Sequence, residues 1–171
     1  YNVELAKEAV TEMGFNEIQF DYVRFPDGTA TSEINLDFHN TYKESKVAAV
    51  QGFLQYAKEE LSPKGVYVAA DIFAWPIVAC DDQDIGQFLP AIANVVDVVS
   101  PMPYLDHFTK GSFGIADPVQ APYDTLAAFT KISNVQLKGI KHASKYRTWI
   151  QGYDMTSKEL KQQIKGLKDN K

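Results

Sequence analysis

The segment Glu17–Pro26, EIQFDYVRFP, predicts a buried strand that delivers charged side chains to its carboxyl end. Apolar Ile18 and Phe20 alternate with Gln19 and Asp21, which is the period of two that is typical of strands. Turn-forming residues follow directly and end the strand. Because burying an unpaired carboxylate costs several kcal/mol, Asp21 needs a partner or a function. We therefore interpret this strand as the floor of an active site.

Arg24 follows Asp21 by three residues and allows two interpretations. Its guanidinium can keep the Asp21 carboxylate ionised or bind substrate. It can equally pair with Glu33 or Asp37 in the polar loop of residues 26–40, which is long for a simple connection.

The composition of the 171-residue chain excludes several classes of protein. Hydrophobic residues make up 45% and charged residues 23%, as in a globular domain with a substantial core. The formal charge of −5, without a run of Lys and Arg, argues against nucleic-acid binding. No apolar run approaches the roughly 20 residues of a membrane span. The lone Cys80 excludes an internal disulfide and a Cys-rich zinc site.

The periodicity predicts a single domain over residues 1–171 in which strands and helices alternate. The predicted strands after the first lie at about 66–75, 97–108 and 146–153. The predicted helices lie at about 2–13, 41–61 and 84–96, and begin again near 122 and 157.

Alternating strands and helices predict a parallel sheet, either doubly wound or part of a (β/α)8 barrel. No glycine-rich phosphate loop follows any strand, which disfavours a nucleotide-binding doubly wound fold. Polar and aromatic residues instead follow successive strands, where (β/α)8 enzymes keep their catalytic groups. Four strands are about half of such a barrel, and the chain begins with Tyr1 rather than Met. We therefore expect either a fragment of a barrel or a half-barrel that pairs with another copy, since open sheet edges can self-associate.

Four motifs in order, FDYVRFPDG, ADIFAW, SPMPYLDHF and TWIQGY, resemble the DUF4015 family of bacterial glycoside hydrolase domains, which is related to the α-amylase-like barrels. The resemblance covers nearly the whole chain and implies a partial (β/α)8 TIM barrel, from its third helix to its seventh. It also implies an acid at the end of the fourth barrel strand, here Asp21, and of the fifth, here Asp71. Leu105 and Asp106 stand where Pro-Ser is usual in the family.

Asp21 and Asp71 are therefore the candidate catalytic pair. Glycoside hydrolases commonly hold two carboxyl groups about 5–5.5 Å apart for retention and about 6.5–9.5 Å apart for inversion. Neighbouring strands lie about 4.8 Å apart, so either separation is possible. We assign Asp21 as nucleophile or base and Asp71 as general acid, with the reverse assignment open. In the alternative interpretation, Asp21 only pairs with Arg24 and Asp71 only caps a loop.

The candidate substrate-binding residues share a position at or near strand ends: Arg24, Trp75, Tyr104, His107, Trp149 and Gln151. The faces of Trp75, Tyr104 and Trp149 can stack on sugar rings, although aromatic side chains as often fill a core. His107 can bond a sugar hydroxyl, transfer a proton, or lie on the rim facing solvent.

No metal or cofactor is predicted. The acidic cluster at 81–84 resembles the start of a calcium loop, but the required Gly and closing Glu are absent. Negative charge at a helix start explains the cluster more simply. Asp71, Asp106 and His107 resemble the ligands of a metal-dependent deacetylase, but one histidine is a poor zinc ligand set.

We therefore expect a carbohydrate-cleaving enzyme that uses two carboxylates. The fragment alone can lack activity because the other strands of the barrel are missing. The alternative is a non-catalytic carbohydrate- or cell-wall-binding module that kept the aromatic cleft and lost the chemistry. A polymeric substrate and the family resemblance together imply an extracellular or cell-envelope location in a bacterium.

Overall fold

The computed structural model describes residues 1–26, 45–140 and 144–170. In chain order the helices and strands are α1 (Asn2–Met13), β1 (Glu17–Phe20), α2 (Lys46–Leu61), β2 (Tyr67–Phe73), α3 (Ala74–Ala79), α4 (Leu89–Ala93), β3 (Val98–Met102), α5 (Pro122–Leu137), β4 (Lys145–Tyr146) and α6 (Ser157–Asp169). The described strands form one parallel sheet in the order β1-β2-β3-β4. The predicted α/β fold with a parallel sheet is therefore confirmed.

Local sequence signals set the ends of several helices. Gly14 ends α1 in the left-handed conformation, at a φ of 73°. Pro122 opens α5, where its missing N–H has no helical partner to lose. At the start of α6, the side chains of Thr156 and Glu159 each accept a hydrogen bond from the other's backbone N–H.

The structure differs from the predicted boundaries after β2. The strand ends at Phe73 and α3 begins at once, so Trp75 lies in a helix rather than in the strand. The predicted helix at 84–96 is reduced to α4, because Gly86 has a φ of +81° that interrupts a helix.

Pro101 explains why β4 is shorter than the predicted strand at 146–153. The backbone N–H groups of Arg147 and Trp149 still donate to the carbonyls of Val99 and Pro101, each at 2.9 Å. A hydrogen bond in the opposite direction, from β3 to the chain after β4, would need an N–H on Pro101, which proline lacks. After β4 the chain therefore donates hydrogen bonds to β3 as far as Trp149 but accepts none from Pro101.

The two faces of the sheet differ because side chains alternate along each strand. On one face Val68, Ala70 and Ile72 are fully buried in the hydrophobic core beneath the helices. The opposite surface, here called the polar face, presents Glu17, Gln19, Asp71, Arg147 and Trp149. A doubly wound sheet has helices on both faces and a reversal of strand order. The described strands show consecutive order and a core on one face, which is the arrangement of a barrel wall.

Hydrogen bonds over the polar face indicate that the sheet is curved. The outer strands β1 and β4 would lie about 14 Å apart in a flat sheet of this order. Arg147 beside β4 nevertheless donates to Glu17 Oε2 at 3.0 Å and to Gln19 Oε1 at 2.7 Å, both on β1. Because side chains leave a sheet roughly perpendicular to it, these bonds require the outer strands to tilt towards each other.

Gly166 allows α6 to pack closely on α5. A Cβ atom there would lie 2.5 Å from the carbonyl oxygen of Tyr123. Helix propensity alone favours Ala over Gly by about 1 kcal/mol, but overpacking against backbone costs about 1–3 kcal/mol. We expect Gly166→Ala to lower the free energy of unfolding by about 1 kcal/mol, measured by urea denaturation. Gly52→Ala on α2 is the control, because a Cβ there meets nothing within 4 Å and should stabilise. Stabilisation by both substitutions would contradict the packing argument.

Candidate active site

Asp71 lies near the carboxyl end of β2 on the polar face and is only 5% exposed. Its Oδ1 accepts hydrogen bonds from Gln19 Nε2 at 2.7 Å and from Trp149 Nε1 at 2.8 Å. Burial raises the pKa of the Asp71 carboxyl, and the negative charge of Asp21 raises it further, against the effect of the two hydrogen bonds. The site therefore holds a carboxyl group that keeps its proton more readily than an exposed aspartate.

A hydrogen-bonded chain continues from Gln19 away from Asp71. Gln19 Oε1 accepts a hydrogen bond from Arg147 Nη2 at 2.7 Å. Arg147 in turn forms an ion pair with both carboxylate oxygens of Glu17. Bonding to Glu17 is the main cause that raises the pKa of Arg147, which therefore stays a cation. Strands β1, β2 and β4 thus all contribute to one network that ends at Asp71.

Asp21 lies beside Asp71 at the carboxyl end of the neighbouring strand. Phe20 and Ala70 are paired in the parallel register of β1 and β2, so each strand continues directly into one of the two acids. The expectation that Asp21 is buried in a longer strand is wrong: β1 ends at Phe20 and Asp21 is exposed. Tyr22 has a φ of 56°, which turns the backbone, and its N–H donates to Asp21 Oδ1 at 2.8 Å.

Tyr104 shares the electrostatic environment of the two acids. Burial raises the pKa of the Tyr104 hydroxyl, and the charges of Asp71 and then Asp21 raise it further. The Tyr104 ring lies edge-on to His107, at 5.3 Å between centroids, and to Tyr153, at 6.0 Å. The structure thus brings two predicted binding residues together with Tyr153, which is not among the sequence candidates.

Arg24 lies near this end of β2, beside Phe73. Its guanidinium carbon lies 5.0 Å from the centre of the Phe73 ring. Within the part of the chain that the structure describes, Asp21 forms no ion pair with Arg24. The salt-bridge interpretation of Asp21 therefore has no support. The alternative partners Glu33 and Asp37 lie outside the described residues.

Trp75 and His107 line one groove of about 490 Å³ together with Phe73, and neither acid is among its lining residues. The Trp75 ring is partly exposed and packs edge-on to Phe108 at 5.8 Å between centroids. Trp149 is 46% exposed although its indole N–H bonds Asp71. Both tryptophans are thus partly exposed to solvent.

Gln151 is placed differently from the other candidates. It is only 2% exposed, and its side-chain amide bonds backbone: Oε1 accepts from Asp106 N at 3.2 Å and Nε2 donates to Tyr153 O at 3.4 Å. The Tyr153 hydroxyl also donates to Asp106 Oδ1 at 3.0 Å. Gln151 therefore holds the rim after β3 in place, and its contact with substrate stays a prediction.

Gln87, which the sequence analysis did not select, ties the ends of β1 and β2 together. Its side chain is buried and accepts a hydrogen bond from Phe73 N at 2.8 Å. It donates to the carbonyl oxygens of Val23 at 3.2 Å and Asp71 at 3.3 Å. A lone amide within the apolar run before α4 is the only sequence signal for this role.

Gln87→Met should therefore lower the free energy of unfolding by about 2 kcal/mol, because it leaves one backbone N–H and two backbone carbonyls without this partner. Urea denaturation measures the loss. Gln120→Met is the matched control, because Gln120 is exposed. Equal stability of the two variants would show that the bonds of Gln87 are replaced at no cost.

Carboxylates of the acidic cluster at 81–84 accept hydrogen bonds from backbone N–H groups of the same turn. Asp81 Oδ1 accepts from Gln83 N at 2.9 Å, and Asp82 Oδ2 accepts from Gly86 N at 3.1 Å. Among the described residues, no group of three His, Cys, Asp or Glu side chains could hold a metal ion. Nor does any described helix combine the length and apolar character needed to cross a membrane.

Comparison with known proteins identifies the family of this chain. A solved structure, the PgaB (BpsB) glycoside hydrolase domain from Bordetella bronchiseptica, is similar with a TM-score of 0.44 and 15% identity, over 79% of this chain and 52% of that one. This chain thus spans about half the length of that domain. No curated protein matches the sequence. The family model described as "Putative glycosyl hydrolase domain" matches residues 1–171, which confirms the resemblance. The chain therefore belongs to the DUF4015 family of glycosyl hydrolase domains.

Proposed function

We propose that this chain is part of the catalytic barrel of a glycoside hydrolase, with Asp71 as general acid and Asp21 as nucleophile or base. One observation carries the assignment: a buried carboxyl on the polar face lies beside an exposed carboxylate at the next strand end. Family membership supports the reaction class, and the geometry supports the roles of the residues.

The different surroundings of Asp71 and Asp21 support different catalytic roles for the two acids. A general acid must hold its proton until the leaving group takes it, and burial raises the pKa of Asp71 in that direction. Asp21 is open to water, which hydrates a carboxylate and lets it attack or activate a water molecule. Pairs of carboxyl groups in unequal environments commonly take the acid and base roles in this way.

The aromatic surroundings support a carbohydrate as the substrate. Trp149 bonds Asp71 and is partly exposed, Tyr104 and His107 are in edge-on contact, and the partly exposed Trp75 lines a groove with His107. Such rings can contact the C–H faces of a sugar, and the hydroxyl and imidazole can bond its oxygens. We further propose that residues 1–171 belong to a single domain and form part of its TIM barrel. An extracellular or cell-envelope location stays a prediction.

The experiment is release of new reducing ends by the intact protein from a panel of polysaccharides. We expect wild type and Asp124→Asn to release them from at least one glycan, because Asp124 lies exposed on α5. Asp71→Asn and Asp21→Asn should bind the same glycan with little turnover. Binding without turnover by wild type would contradict the proposal and favour the non-catalytic module.

A further inference from the structure

The two oxygens of Asp71 are used differently. Both hydrogen bonds to this carboxyl, from Gln19 and Trp149, arrive at Oδ1. Oδ2 accepts no hydrogen bond within the described residues. An N–H can only donate, so a proton on Oδ1 would face two donors. A proton on Oδ2 leaves Oδ1 as the acceptor that both donors need.

The direction of the Gln19 amide is itself fixed. A glutamine side chain can present either its oxygen or its NH₂ group to a neighbour. Here Arg147 donates to Gln19 Oε1 at 2.7 Å, so the NH₂ group must face Asp71. Glu17 holds Arg147 in place through both of its oxygens. The direction of one amide therefore follows from an ion pair on the far side of the network.

We propose, resting on the function proposed above, that Gln19, Trp149 and Arg147 are positioning residues that reserve Asp71 Oδ1 as an acceptor, so that the catalytic proton is carried on Oδ2. The ionisable groups that face Asp71 are Asp21 at the end of β1, the Arg147 cation beside β4 and the Tyr104 hydroxyl after β3. The same contacts fix the Trp149 ring beside the acid.

The test follows the Asp71 carboxyl by carbon-13 NMR in the intact protein, with the signal assigned by its absence in Asp71→Asn. Trp149→Phe keeps an aromatic ring and removes the N–H donor. The pKa of Asp71 should then rise by about one pH unit, because the charged form loses a hydrogen bond. Gln19→Glu replaces the second donor with an acceptor and should raise the pKa of Asp71 further. Gln120→Glu, at an exposed position, should leave it unchanged.

The same variants separate proton placement from simple folding effects. In Gln19→Glu the proton is drawn to Oδ1, between two carboxyl groups, so turnover should fall for glycosides with poor leaving groups and persist for activated ones. An Asp71 titration that moves in neither Trp149→Phe nor Gln19→Glu would overturn the inference. If the titration shifts as expected but wild type cleaves no glycan, the proposed function fails while the proton placement is supported.

Discussion

Asp71→Asn is expected to lower kcat/KM by about 10²–10⁴-fold on glycosides whose leaving group needs a proton. Dinitrophenyl glycosides should be cleaved at close to the wild-type rate, because their leaving group departs as a stable anion. Asparagine has nearly the shape of aspartate, and its oxygen can still accept from Gln19 and Trp149. The ratio of the two rates therefore measures proton donation by Asp71 rather than substrate binding.

The thermal stability of Asp71→Asn is the control for its activity, and the direction of the change in stability follows from the raised pKa of Asp71. Burial raises the pKa of Asp71 in the folded protein, so the folded state holds that proton more tightly than the unfolded chain does. The stability that Asp71 contributes is present below the unfolded-state pKa and falls as pH rises through the folded-state pKa. At pH values above the folded-state pKa, asparagine removes a disfavoured buried charge, so the Tm of Asp71→Asn there should equal or exceed that of wild type. A lower Tm that parallels the activity loss would instead indicate a structural defect.

Asp21→Asn should abolish turnover of both kinds of glycoside. A nucleophile or base acts at the anomeric carbon or on the attacking water, and a better leaving group does not replace it. We expect a loss of at least about 10²-fold with dinitrophenyl and natural substrates alike. Glycan binding, measured by calorimetry, should persist because Asp21 is exposed and carries little of the fold.

Asp124→Asn is the matched control, since it removes an exposed carboxylate of the same chain. It should leave kcat/KM near the wild-type value with both substrates. If Asp21→Asn instead keeps its activity on dinitrophenyl glycosides while Asp71→Asn loses it, the two roles are reversed. That result would contradict the assignment drawn from the burial of Asp71.

The parts of the fold that sequence can predict are those set by local chemistry. Gly14, Pro122 and the Thr156–Glu159 pair mark helix ends through their own backbone and side-chain preferences. The alternation of strands and helices likewise fixes a parallel sheet. These features need no knowledge of distant contacts, so a single sequence contains them.

The parts of the site that sequence misses depend on contacts between distant residues. Alternation predicts that the strand passes through Asp21, but a left-handed Tyr22 turns the backbone there, and Asp71 becomes the buried acid. Trp149 is 78 residues from Asp71, and the curvature of the sheet brings them together. Gln87 reaches the strand ends from a loop whose path no local pattern describes.

The two neighbouring carboxylates can be tested most directly by their effect on each other. The measurement is the pKa of the Asp71 carboxyl, by carbon-13 NMR, in wild type and in Asp21→Asn. The charge of Asp21 raises the pKa of Asp71, so neutralising Asp21 should lower it. An Asp71 pKa that is unchanged or higher in Asp21→Asn would contradict a paired site at the ends of β1 and β2.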